Sequence, residues 1–140
     1  MIVEISSARP DRVPLLAAML GRAFADDPMI RWPFPAGDDE EAERRTTEMF
    51  RVIDERFAEA GWLWEAGDAA GVALWIPPGG DAFYVQVERD TRDAIDAITD
   101  DGGARYRAFW DWIEDHFPHE PHWYLDHLAV APEHRAKGFG

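Results

Sequence analysis

Residues 122–140 read His122-Trp123-Tyr124-Leu125-Asp126-His127-Leu128-Ala129-Val130-Ala131-Pro132-Glu133-His134-Arg135-Ala136-Lys137-Gly138-Phe139-Gly140. Up to Val130 the run is apolar, rich in aromatics and of strand length. Pro132 stops it, because proline has no N–H to give to a ladder. Arg135, Gly138 and Gly140 follow with the spacing Arg-x-x-Gly-x-Gly. Glycine admits φ > 0 and lets a ligand come close to the backbone. A glycine-rich turn after a buried strand is therefore a place where N–H groups can converge on a phosphate. Arg135 adds a fixed positive charge beside it. Lys137, the sole lysine of the sequence, falls in the same turn. A Gly-x-Gly pair alone is weak evidence, since a tight strand-to-helix turn with no ligand uses the same residues.

The whole pattern is more specific. A strand, then Val-Ala-Pro-Glu-His-Arg at 130–135, then x-x-Gly-x-Gly, resembles the acetyl-CoA pyrophosphate loop of the GNAT family of N-acetyltransferases. The signature of that loop is Gln/Arg-x-x-Gly-x-Gly/Ala after the fourth strand. Ala136 stands where many members have glycine, a departure that a small side chain makes cheap. The resemblance implies an α/β GNAT fold with a mixed central sheet and helices on both faces. It implies that Arg135, Ala136, Lys137, Gly138, Phe139 and Gly140 hold acetyl-CoA, together with the backbone of Leu128, Ala129 and Val130. In the family this loop lies mid-domain, before a further helix and strands. Residues 1–140 are accordingly expected to be a single GNAT domain lacking its C-terminal part. On that expectation the piece alone transfers no acetyl group. It dimerises, stays with the missing part, or aggregates through the sheet face left bare.

Composition sets the outer bounds. A chain of 140 residues is one domain or less. Apolar residues make up 46%, enough for a packed core and too many for disorder. No run is long and apolar enough for a membrane span, and the N-terminus lacks the basic-then-apolar pattern of a signal peptide. The absence of cysteine excludes disulfides, thiol catalysis and thiolate metal sites, and a cytoplasmic location is the default. A formal net charge of −14 repels nucleic acid and anionic membrane and favours cationic partners such as an amine.

Taken in order, residues 2–5 alternate as a short strand. Asp11 is placed to cap a first helix, which runs to about residue 25 with Val13, Leu16, Ala17, Leu20 and Phe24 on one face. Residues 24–35, rich in aromatics, acids and proline, resemble the GNAT loop that lines the acceptor pocket. Phe24, Asp27 and Trp32 are the candidate acceptor residues there, by hydrophobic contact, charge and cation–π attraction. Packing of the same rings on the core is the alternative. Four acids at 38–41 open the next helix, favoured by its dipole, and Gly61 closes it. Strands at 62–65 and 72–76 form a hairpin. Residues 81–117 read as two helices broken at Asp101-Gly102-Gly103, a helical insertion between the third and fourth strands. It serves either as a specificity element or as a cover for the sheet edge. His119, Glu120 and His122 have a spacing compatible with a metal, but a proline-rich turn with exposed polar side chains is the simpler reading, and no metal is expected.

The resemblance implies acetyl transfer from acetyl-CoA to an amine of a small molecule or protein. The amine must lose a proton, and Asp126 and His127 are the candidate catalytic residues. Because successive strand residues point to opposite faces, one of the two at most is expected to face the acceptor, with Asp126 preferred. The alternative is a non-catalytic acyl-CoA-binding or regulatory GNAT-like domain. A different nucleotide-phosphate binder is disfavoured, since neither Gly-x-Gly-x-x-Gly nor a Walker Gly-Lys-Ser/Thr occurs.

Overall fold

The computed structural model describes residues 3–140. The elements are β1 (Ile5–Ser7), α1 (Val13–Ala23), α2 (Pro28–Arg31), α3 (Asp39–Glu59), β2 (Leu63–Ala66), β3 (Gly71–Ile76), α4 (Asp81–Ile98), α5 (Ala104–Glu114) and β4 (Tyr124–Val130). Short 3-10 turns precede α1 and follow β4. The first strand lies later than residues 2–5, and Ile2 falls outside the described residues.

The four strands form one sheet in the order β1-β2-β3-β4, and every described pairing is antiparallel. This is a mixed α/β arrangement, with a sheet flanked by helices, broadly consistent with a GNAT-like topology. It departs from the expected mixed sheet because each connection returns the chain reversed: a tight turn between β2 and β3, and helices between β1 and β2 and between β3 and β4. Leu63, Leu74 and His127 stand in register on one face, where they are buried. Trp64, Ala73 and Leu128 stand in register on the other. Trp64, Trp75, Trp123 and Leu128 are exposed there, so among the described residues this face lacks the helical layer expected on it.

α3 is the central helix. Asp38 caps it, its side chain accepting from the Glu41 N–H at 2.9 Å, and Asp39, Glu40 and Glu41 fill the first turn, where the helix dipole favours negative charge. Its buried face carries Met49, Phe50, Asp54 and Phe57 at helical spacing. α1 packs closely along it. At the crossing, a Cβ on Gly21 would collide with the Thr47 hydroxyl and lie 3.2 Å from the Glu43 carbonyl. Asp11 does not cap α1. The chain enters that helix through the 3-10 turn at Pro10–Arg12, Arg12 takes the cap position, and Asp11 pairs with Arg9. The core joins Leu16, Leu20, Phe57, Leu63 and Leu74, all almost fully buried.

Between β3 and β4 the chain forms two helices, as its periodicity indicates. Gly102 and Gly103 separate them with φ of 62° and 80°, left-handed values that glycine adopts without a Cβ clash. α4 buries Tyr84, Val87, Thr91 and Ile95, whereas Ala94 is exposed. Among the described residues no helix is long and apolar enough to cross a membrane.

Candidate active site

A bulge in β4 builds the site. Leu74 pairs with His127, but Trp75 pairs with Leu125, so Asp126 is an extra residue in the ladder. Regular alternation would send Asp126 and His127 to opposite faces. The bulge breaks the alternation, and both side chains line the same cavity. The expectation that strand alternation separates these two side chains is corrected for this reason.

The two side chains belong to a buried chain of polar groups. His127 Nδ1 donates to Asp126 Oδ1 at 2.8 Å. The Tyr84 hydroxyl donates to Asp126 Oδ2 at 3.4 Å. On the far side of the imidazole, Asp54 of α3 places Oδ2 3.3 Å from His127 Nε2. The Asp54 side chain is fully buried and neither oxygen has a hydrogen-bond donor. The Phe50 ring meets the imidazole edge-on at 5.0 Å.

Charge and burial compete in this chain. Burial disfavours the imidazolium, but the Asp54 charge and the hydrogen bond to Asp126 outweigh it, and His127 is raised to about 10. Burial raises the Asp54 carboxyl, although the imidazolium opposes that shift. At neutral pH His127 is therefore the cation between two carboxyl groups. Burial, and then the Asp126 charge, raise the phenols of Tyr84, Tyr106 and Tyr124, which stay neutral. Tyr84 is thus a fixed donor to Asp126.

The cavity above these groups has a volume of about 140 Å³. Phe50 of α3, Tyr84 of α4, Tyr106, Phe109 and Trp110 of α5, and Tyr124 of β4 form much of its wall. Glu88 of α4 adds a further carboxyl group. Burial, reinforced by Glu114, raises Glu88 to about 8.

The three expected acceptor residues lie elsewhere. Phe24 stacks on Phe50 with ring centroids 5.5 Å apart. Asp27 caps α2, accepting from the N–H groups of Met29 and Ile30 at 2.9 and 3.0 Å. Trp32 is exposed. Their segment does reach the cavity, through Met29 and Ile30. An Asp followed by Pro is a cap followed by a first helical residue, and that signal identifies Asp27 as structural. Asp54, Tyr84, Glu88, Tyr106 and Trp110 escaped the sequence reading as site residues. Asp54 alone left a trace there, as a carboxylate among Phe50 and Phe57 on an apolar helix face.

Beyond β4, Ala136 and Gly138 take left-handed backbone, with φ of 62° and 83°. The space where a Gly138 Cβ would sit is open, with no atom within 4 Å. Arg135 donates to the Ala23 carbonyl at the end of α1, at 2.9 Å, so it ties the loop to that helix. Lys137 is exposed. Open backbone and this lysine fit an anionic group. β4 is the last strand of the described sheet, which leaves the edge at Leu128, Ala129 and Val130 without a ladder partner among the described residues. His119 is exposed, and His122 Nδ1 lies 2.9 Å from the Glu120 carbonyl oxygen. Among the described residues no three His, Asp or Glu gather as metal ligands.

No family model matches the chain. A protein of Schizosaccharomyces pombe (strain 972 / ATCC 24843), described as an uncharacterized N-acetyltransferase, is 27% identical over an alignment of 139 residues. The alignment covers 88% of this chain and 53% of that protein, so the chain spans about half the length of this curated relative. This remote likeness suggests a GNAT-family relationship.

Proposed function

We propose that the protein carrying this chain is an acyl-CoA-dependent N-acyltransferase that moves an acetyl group from acetyl-CoA to an amine. The observation that carries the reading is the course of β4. One strand brings Asp126 and His127 into an aromatic cavity and then runs directly into the open, left-handed loop at 135–140. The likeness to a named N-acetyltransferase supports the same reading.

Leu128, Ala129 and Val130 would offer backbone groups to the cofactor's arm, and the loop around Lys137 and Gly138 would hold its phosphates. Acetyl-CoA, when bound, supplies a thioester whose carbonyl carbon the amine nitrogen attacks, with the thiol as leaving group. Asp126 accepts the proton that the ammonium must lose. His127 fixes Oδ1 of that carboxylate, so Oδ2 is the oxygen available to the cavity. Tyr84 orients Oδ2. Asp54 keeps His127 charged, and the aromatic walls exclude water from the proton transfer.

The test is thiol release from acetyl-CoA by the full-length protein, followed over a panel of amines. Asp126→Asn is expected to lower kcat by about 10²–10⁴-fold while acetyl-CoA affinity is kept. An unchanged kcat in a folded variant removes Asp126 as the base, and no thiol release with any amine removes the reaction.

A further inference from the structure

We propose that the cavity roofed by α4 and α5 takes a small amine with an apolar, ring-sized body, held as its ammonium by Glu88, so that the helical insertion sets acceptor specificity. This rests on the reading of the cavity as the acceptor site.

Size and walls come first. Apolar cavities of about 150 Å³ hold a benzene ring, and this one measures about 140 Å³. Its lining is dominated by aromatic and aliphatic side chains, three of the aromatics coming from α5 alone. An apolar body gains burial there, and ring faces attract a cation. A peptide segment with its backbone polar groups would find few partners among these walls.

Charge selects next. The lining contains Glu88 and Asp126 and neither lysine nor arginine, and its one cation, His127, is already engaged by two carboxyl groups. An ammonium finds carboxyl groups to pair with there, whereas a carboxylate ligand finds no cation that is not already engaged. Glu88 is the carboxyl group best placed to make this choice, because Asp126 is tied to His127 and Tyr84. Glu88 faces Glu114 and Asp111 of α5 and Asp126 of β4. Its own helix carries Arg89 and Arg92, which with Arg107 of α5 line a neighbouring groove that Glu88 also borders. Glu88 thus stands at the wall between an arginine-lined groove and the aromatic cavity.

Proton linkage gives a signature. Burial and its acidic neighbours raise Glu88 to about 8, so at neutral pH the empty cavity holds it largely protonated. An ammonium beside it favours the carboxylate, and binding therefore releases a proton. Affinity rises with pH through about 8 and falls once the amine itself deprotonates.

Calorimetry on the full-length protein without acetyl-CoA, using 2-phenylethylamine, 2-phenylethanol and phenylacetate, tests this. The amine is expected to bind at least tenfold tighter than the alcohol, and phenylacetate weaker than either. The amine's binding heat should vary with the ionisation enthalpy of the buffer, as proton release requires. Glu88→Gln should bring amine and alcohol to within about threefold and abolish the buffer dependence. If that variant fails to fold, Glu114→Gln serves: with a like charge gone, less proton is released per amine bound. Equal binding of amine and alcohol overturns the proposal, as does discrimination that survives Glu88→Gln or proton release that survives unchanged in Glu114→Gln. Selective amine binding without acetylation when acetyl-CoA is added would sink the transferase reading and leave cation recognition standing. Acetylation of amines indifferent to Glu88→Gln would do the reverse.

Discussion

Asp54 shows what one buried carboxylate does. It lies on the apolar face of α3, with no hydrogen-bond donor, 3.3 Å from His127. A carboxyl group in that position is costly unless a charge compensates it, and the imidazolium is that charge. Asp54→Asn should lower the His127 pKa from about 10, read by NMR titration of the imidazole signals. The sign for stability follows. The folded value of His127 exceeds its ordinary 6.5, so the imidazolium's contribution is complete below about 6.5 and is lost as pH rises through about 10. Melts of the wild type should decline across that window, and those of Asp54→Asn should begin to decline at lower pH. Coincident titrations of the two proteins would deny the coupling. Ala136 is the second informative residue. Its left-handed φ of 62° costs a non-glycine residue about 1–2 kcal/mol. Ala136→Val should weaken acetyl-CoA binding about five- to thirtyfold, and Ala136→Gly should match or exceed the wild type. Calorimetric titration decides; equal affinities for all three would detach this loop from the cofactor.

At the scale of elements, the α1–α3 crossing and the β4 bulge are the two fixed points. The crossing needs Gly21, because any Cβ there meets Thr47 and the Glu43 carbonyl. Gly21→Ala should destabilise the fold by about 1–3 kcal/mol in denaturant melts. Thr47→Ala in the same chain should restore part of that loss, since it removes the hydroxyl that the new methyl strikes. Full additivity of the two changes would place the strain elsewhere. The bulge needs no such special residue. Asp126 is accommodated as an extra residue between pairs that otherwise continue in register, and its engagement with His127 and Tyr84 holds it on the buried face.

Over residues 1–140 as a whole, charge is the dominant fact. A formal net charge of −14 raises the local concentration of cations and speeds their approach. The KM for a cationic amine should therefore increase several-fold between about 0.02 and about 0.5 M salt, as the screening length shrinks. Binding of an uncharged isostere should change little over the same range. A salt-independent KM for the amine would show that the field outside the cavity does not act on the substrate.

What depends on local chemistry and periodicity is legible along the chain. Helical spacing placed α1, α3 and α4, paired glycines separated α4 from α5, and Pro132 closed β4. The sequence also brought Asp126 and His127 into the candidate site, because they lie on the strand that leads to the glycine-rich loop. Asp27 and Trp32, which it marked as acceptor residues, stand outside the aromatic cavity, because the direction of side chains in that segment depends on a helical turn too short to show as a period. Tertiary structure alone decided the rest. The bulge is a property of the β3–β4 register, and a single strand carries no record of its partner. The meeting of Asp54, Tyr84, Asp126 and His127 joins positions from three elements. Contacts between residues so far apart in sequence are set by how the helices pack on the sheet, and no local pattern in the chain encodes that distance.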